Sequence, residues 1–284
     1  LSSSSAASDV YKRQGKNTAL SSLRVAGGST TQLTATGWYY GNKVYSADTS
    51  FTWSVSDALG TIDEDGTFTA VQTGRDVTGT LTVTYGETSC TLPVTVGSSQ
   101  PFDDTKGHWA ESYITELYYA GTLQGSEKNG KLYYRPDASM TRQEFIVAMM
   151  RYLGTDLSAY ASVQLPFDDS GSIASWAKSA MQAAYQLGYL TGSKTNGKLL
   201  AKPGSTISRQ EAMTILSRTK DFADADLNVL SAFSDSGKIA DWARTALAQM
   251  TQQKIISGSK GKLNPTGKVT RAEVAKMLYM LSET

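Results

Sequence analysis

The sequence is poor in the residues that most active-site chemistry needs. It has one cysteine, Cys90, so no disulfide can form within the chain, and one histidine, His108, which excludes a His-rich metal site or a cluster of imidazole bases. Redox chemistry, zinc and other cofactors are therefore not expected. No apolar run reaches the about 18 residues that a bilayer span needs, so insertion into a membrane is not expected either. Neither sign of charge dominates: Lys and Arg number 6 against 8 Asp and Glu over residues 1–100, and 21 against 18 over residues 101–284. That excess is too small to point to nucleic acid. The chain lacks G-x-S-x-G, H-E-x-x-H and a P-loop, so it is not expected to be an enzyme; any catalytic domain is expected upstream of residue 15. What is present, 40% hydrophobic and 19% charged residues over 284 positions, fits two or more folded domains.

Residues 4–14, SSAASDVYKRQ, resemble the translation of a transposase-type sequencing adapter, and residues 1–14 are set outside the fold on that ground. Between residues 18 and 96 the runs TQLTATGWYY, SFTWSVS, GTFTAVQ, GTLTVTYG and CTLPVTV alternate in character and are separated by Gly, Asn and Asp turns. They predict a small β-sandwich over residues 15–97. The stretch FTWSVSDALGTIDEDGTFTA resembles the bacterial Ig-like domains of surface proteins, which implies that Trp53 packs the core and that Asp65-Gly66 turns a hairpin. Asp63, Glu64 and Asp65 could hold calcium, but turn chemistry explains them without it. Residues 98–101 read as a linker.

Beyond the linker the composition shifts to helix formers with a long internal repeat. Trp109, Trp176 and Trp242 are each followed by Ala, and 16 residues after each stands a Gly-Ser pair: Gly125-Ser126, Gly192-Ser193 and Gly258-Ser259. Arg142 and Arg209 follow their tryptophans by 33 residues, and Arg271 by 29, so the third loop is four residues shorter. Each unit reads as helix, loop, helix. Trp109, Tyr113, Leu117 and Tyr118 share one face of the first helix, and Phe145, Ala148, Met149 and Tyr152 or Val274, Met277, Leu278 and Leu281 form the core stripe of a second. Thr141-x-x-Glu144, Ser208-x-x-Glu211 and Thr270-x-x-Glu273 are capping boxes. Two short helices bury little alone, so three copies are expected to complete one another's cores about a pseudo-threefold axis.

An arginine at the first helical position sits badly with the positive end of the helix dipole. Either an anionic ligand shares the site with free N-terminal amides, or each Arg pairs with a local acid such as Asp104, Asp169 or Asp235.

The stretch FDDTKGHWAESYITELYYAGTLQG…YRPDASMTRQEF resembles the S-layer homology domain, and two more copies begin at Phe167 and Phe233. The resemblance implies repeats over 102–156, 166–220 and 232–282, folded as an all-α three-pronged spindle. Its grooves would bind secondary cell wall polysaccharide attached to peptidoglycan, often through a terminal sugar carrying a pyruvate ketal. Arg142, Arg209 and Arg271 are then carboxylate ligands. Gly125, Ser126, Gly192, Ser193, Gly258 and Ser259 offer backbone and hydroxyl contacts, with Lys194 and Lys260 placed to assist. Trp109, Trp176 and Trp242 either stack a sugar ring or seal the junction between repeats. Ser208, Ala201 and Lys254 depart from the pattern of the other copies, so the grooves need not be equivalent. The implied role is non-covalent anchoring outside the cell, on the wall of a Gram-positive-type bacterium, by a chain that is monomeric through this region. Two other roles stay open: the C-terminal part of a surface glycan hydrolase, and a structural protein of an S-layer or adhesin.

Overall fold

The computed structural model describes residues 8–12, 19–39, 42–45, 51–86 and 88–282. Its contacts divide into two compact units. The first takes the β-region together with residues 115–120 and 127–132, and the second takes most of the chain beyond residue 107.

In chain order the strands of the first unit are β1 (Ser8–Lys12), β2 (Leu23–Ala26), β3 (Thr30–Tyr39), β4 (Asn42–Tyr45), β5 (Thr52–Val55), β6 (Gly60–Ile62), β7 (Thr67–Ala70), β8 (Val77–Tyr85) and β9 (Thr88–Gly97). One sheet runs β1-β3-β7-β6 with β4 also on β3, and the other runs β2-β9-β8-β5. Pairing is antiparallel except for β2 with β9. Side chains alternate as a half-buried strand requires: Leu81, Val83, Leu92, Val94 and Val96 are buried with Leu33, Leu59 and Phe68 in one core, and Trp53 packs at its margin. The Asp65-Gly66 turn holds Gly66 at φ +81, and the Asp63 carboxylate accepts the Thr67 N–H at 2.8 Å. Among the described residues no group of acids, Cys or His could hold a metal ion.

Two features differ from the sequence expectation. The segment set outside the fold contributes β1, which pairs with β3 from Ser8↔Gly37 to Lys12↔Leu33 and buries Val10, because DVYK is itself an alternating run; the rest of residues 1–14 lies outside the described residues. The expected linker is tied down: Ser99 N–H donates to Thr73 O, and the Tyr119 hydroxyl donates to Ser98 O at 2.9 Å.

The repeats supply α1 (Glu111–Tyr119), β10 (Ser126–Lys128), β11 (Lys131–Tyr133), α2 (Arg142–Leu153), α3 (Lys178–Gln186), β12 (Ser193–Thr195), β13 (Lys198–Leu200), α4 (Arg209–Ser217), α5 (Asp241–Gln252) and α6 (Arg271–Ser282). Within each repeat the connection between its two helices is a tight hairpin. Asn129-Gly130, Asn196-Gly197 and Lys260-Gly261 all turn with two successive positive φ angles, as a type I′ hairpin demands. In the shortened third copy the hairpin shrinks to the single Ser259↔Lys262 bridge. Phe145, Ala148, Met149, Val274, Met277, Leu278 and Leu281 are buried as the helical stripe requires, whereas Tyr152, near the end of α2, is only partly buried. The first helix is the exception: α1 begins only at Glu111, so Trp109 stands ahead of it, and the buried residues are Ala110, Ile114, Thr115, Leu117 and Tyr119.

Backbone hydrogen bonds in the second unit close a ring. Met140 N–H donates to Val269 O, Val269 N–H to Ile207 O, and Ile207 N–H to Met140 O, each residue buried. Each repeat thereby satisfies polar backbone that its neighbour would otherwise bury unpaired.

Candidate functional site

The capping box places three glutamates at the third position of α2, α4 and α6, and in two of them the second oxygen reaches across a repeat boundary. Glu144 accepts the Thr141 N–H at 2.8 Å, Glu211 accepts both the N–H and the hydroxyl of Ser208 at 2.8 and 2.7 Å, and Glu273 accepts the Thr270 N–H at 2.9 Å. The other oxygen of Glu211 takes Arg142 Nη1 at 2.8 Å, and that of Glu273 takes Arg209 Nη1 at 2.7 Å. Both arginine side chains are 11% exposed and their glutamate partners 33% and 31%, so each pair is sheltered on the arginine side and open to water on the other. Burial alone would raise the Glu211 carboxyl, but the Ser208 hydroxyl and N–H together with Arg142 outweigh it and hold the group below the usual carboxylate range.

This geometry overturns one part of the expectation, the free N-terminal amides. The N-terminal amides are not free: Arg142, Arg209 and Arg271 N–H donate to Ser205, Gly267 and Ala138 O, and the next amides donate to Pro203, Pro265 and Pro136 O. The local aspartates are occupied elsewhere, since Asp169 accepts the Ala201 and Lys202 N–H groups and Asp235 those of Leu263 and Asn264, pinning each hairpin exit. The acid that balances Arg142 and Arg209 comes from the following repeat.

The three arginines are not equivalent. Arg209 Nε donates to Leu263 O at 2.9 Å, whereas the buried Nε of Arg142 has no partner among the described residues. Arg271 donates from Nε to Tyr134 O and from Nη2 to Gln124 O, both at 2.8 Å, and its guanidinium lies 4.5 Å from the centre of the Tyr134 ring. Among the described residues no carboxylate lies within ion-pair distance of Arg271.

Two grooves share the same plan. One gathers Arg142 from the first repeat, Gly192, Ser193, Glu211 and Arg218 from the second, and Trp242 from the third. The other gathers Arg209 from the second repeat, Gly258, Ser259, Lys260 and Glu273 from the third, and Trp109 from the first. Trp109 and Trp242, 54% and 58% exposed, each line one of these grooves, whereas Trp176, also 58% exposed, lines neither. Gly192 and Gly258 sit at φ +72 and +66, and an added Cβ would stand 2.6 and 2.8 Å from the rings of Phe167 and Phe233. Glycine there lets the loop lie directly on the phenylalanine that opens each repeat.

Gly125, Ser126, Lys194, Trp176 and Arg271 line neither groove. Ser126 Oγ accepts Arg135 Nη2 at 3.0 Å, and Lys194 is exposed on β12 opposite Leu199. Sequence reading missed Arg218, Lys262 and Lys276, which line the grooves. The only available signal was that, of the three second helices, α6 alone carries a lysine five residues after its arginine.

A family model described as the S-layer homology domain matches residues 101–146, 166–213 and 232–275. Residues 101–275 are three tandem S-layer homology domains. Such domains bind cell wall polysaccharide, which places the chain at the cell surface. The chain is 28% identical over 207 residues to an amylopullulanase of Thermoanaerobacterium thermosulfurigenes, covering 71% of this chain and 10% of that protein. It is 28% identical over 242 residues to exoglucanase XynX of Acetivibrio thermocellus, covering 82% and 21%. It is 32% identical over 192 residues to the surface-layer 125 kDa protein of Lysinibacillus sphaericus, covering 64% and 15%. The chain thus spans about a tenth to a fifth of the length of these relatives. Each groove draws on all three S-layer homology domains.

Proposed function

We propose that this chain holds a surface protein non-covalently to the cell wall by seating anionic sugar units of a secondary wall polysaccharide, such as pyruvylated ones, in the Arg142 and Arg209 grooves. The observation that carries this is the repeated combination of a half-exposed indole, a Gly-Ser loop and a nearly buried arginine, drawn from three successive repeats. An indole face covers the apolar face of a sugar ring, the loop meets hydroxyls, and the guanidinium addresses a carboxylate. The buried, unpaired Nε of Arg142 is one donor that a ligand-induced shift could satisfy. The chain's own role is attachment and not catalysis. The two-sheet β-region, with its first core strand β2 parallel to its last strand β9, suits a bacterial Ig-like spacer or binding module. The amylopullulanase and exoglucanase relatives favour a glycan hydrolase as the protein attached; the surface-layer relative supports a structural role as the second reading.

The test is co-sedimentation with purified sacculi that keep or have lost their secondary polysaccharide. Because Arg142 and Arg209 bridge repeats, replacing them confounds binding with folding, so the variant of choice is Trp109→Ala with Trp242→Ala. Binding that needs both the polymer and the indoles supports the proposal; equal binding by the variant would remove the grooves from it, and no binding to any wall would end it.

A further inference from the structure

The two grooves share a plan but not a charge. In the Arg142 groove the only other lining cation is Arg218, and its guanidinium is engaged, donating to Tyr189 O at 2.8 Å and facing Thr191 Oγ1 at 3.4 Å. The Arg209 groove adds Lys260, Lys262 and Lys276. Lys260 stands in the tight turn with φ 50, Lys262 comes one residue past Gly261, and Lys276 projects from α6 at the position that Thr214 holds in α4. The one acid lining this groove, Glu273, is committed to Arg209 and to the Thr270 N–H. Among the described residues no ion pair joins Lys260, Lys262 or Lys276 to a carboxylate.

We infer that the Arg209 groove is selective for a glycan segment bearing at least two negative groups, one near Arg209 and a second held between the lysines of the hairpin and of α6, whereas the Arg142 groove seats a segment bearing one. This rests on the wall-binding reading and adds to it a difference between grooves: the second repeat has hairpin lysines at the matching places, Lys194 and Lys198, but they do not line the Arg142 groove, and Lys276 has the uncharged Thr214 as its counterpart. Ammonium groups act as point charges on flexible stems, so carboxylate and phosphate substituents both fit.

The test follows the indole N–H signals of Trp109 and Trp242 by NMR in the full chain, each assigned through its Trp→Phe variant. The probes are an N-acetylhexosamine disaccharide with one carboxyl, the same disaccharide with two, and one with a carboxyl and a phosphate monoester. At low salt the second charge is expected to tighten binding at Trp109 about three- to tenfold and to leave Trp242 unchanged. The gain should fade toward about 0.5 M salt, where the screening length drops to roughly 4 Å. Lys262→Gln with Lys276→Gln should abolish the gain without shifting the thermal midpoint. A carboxyl and a phosphate probe that differ at Trp109 would identify which group the lysines prefer, and either one tightening supports the inference. An equal gain at both indoles, no gain at Trp109, or no response of Trp109 to any probe overturns it. Co-sedimentation with sacculi is scored separately: its loss ends the anchor reading, whereas its persistence beside a flat charge response ends only the groove difference.

Discussion

At the scale of single residues, one glutamate performs two tasks. Glu211 closes the cap of its own helix and neutralises Arg142 of the preceding repeat, so it couples local to tertiary structure. Removing its charge leaves a nearly buried guanidinium unbalanced. Glu211→Gln is expected to cost about 1–3 kcal/mol at neutral pH, read by chemical denaturation. The folded-state carboxyls of Glu211 and Asp235 lie below their usual values; for Asp235, burial opposes this but the Leu263 and Asn264 N–H groups prevail. A depressed carboxyl stabilises the fold fully above its unfolded value, about 4 to 4.5, and that contribution disappears as pH falls through the folded value. Thermal midpoints should therefore be flat above about pH 5 and decline below it, and Glu211→Gln should flatten part of that decline. Trp109→Ala and Trp242→Ala belong to the opposite class. Half-exposed indoles hold little of the core, so stability should change by less than about 0.5 kcal/mol while wall binding weakens about three- to tenfold per groove. The repeat spacing made the tryptophans equivalent to one another but did not say which way they face: Trp109 stands two residues ahead of α1, Trp242 lies in the first turn of α5, and both are more than half exposed.

At the scale of elements, the hairpins between helices decide where the groove loops lie. Gly258 has no room for a side chain, with Lys262 O at 2.6 Å and Phe233 at 2.8 Å from an added Cβ, and it also holds φ +66. Gly261 shares the left-handed conformation, at φ +68, but has open space. Gly258→Ala should cost about 2–3 kcal/mol and distort the Arg209 groove, while Gly261→Asn should cost under about 1 kcal/mol. Thermal denaturation of the pair separates clash from backbone strain. The capping boxes and the Asp65-Gly66 turn were legible because Thr, Ser, Glu, Asp and Gly act within three or four residues of themselves. The fate of the N-terminal amides was not, because their acceptors, Ser205, Gly267 and Ala138, lie in a different repeat.

At the scale of the whole second unit, the backbone ring of Met140, Val269 and Ile207 closes on itself. A chain ending at residue 231 would leave the Met140 N–H, the Arg209 N–H and the Arg209 guanidinium without these partners, and would expose the apolar faces that α5 and α6 cover. Such a chain is expected to lose cooperative unfolding of α2 to α4, which amide hydrogen exchange would show as loss of their protection. Local chemistry, readable along the chain, is enough to set the alternating strands, the helical stripes, the caps, the turns and the threefold recurrence of Trp, Gly-Ser and Arg. It takes the folded ring to settle which acid balances Arg142 and which Arg209, that Arg271 is bound to backbone carbonyls and the Tyr134 ring, and that one groove is lined by three lysines. Ring closure brings together residues more than 60 positions apart, such as Arg142 with Glu211 and Arg209 with Glu273, beyond the reach of any local pattern.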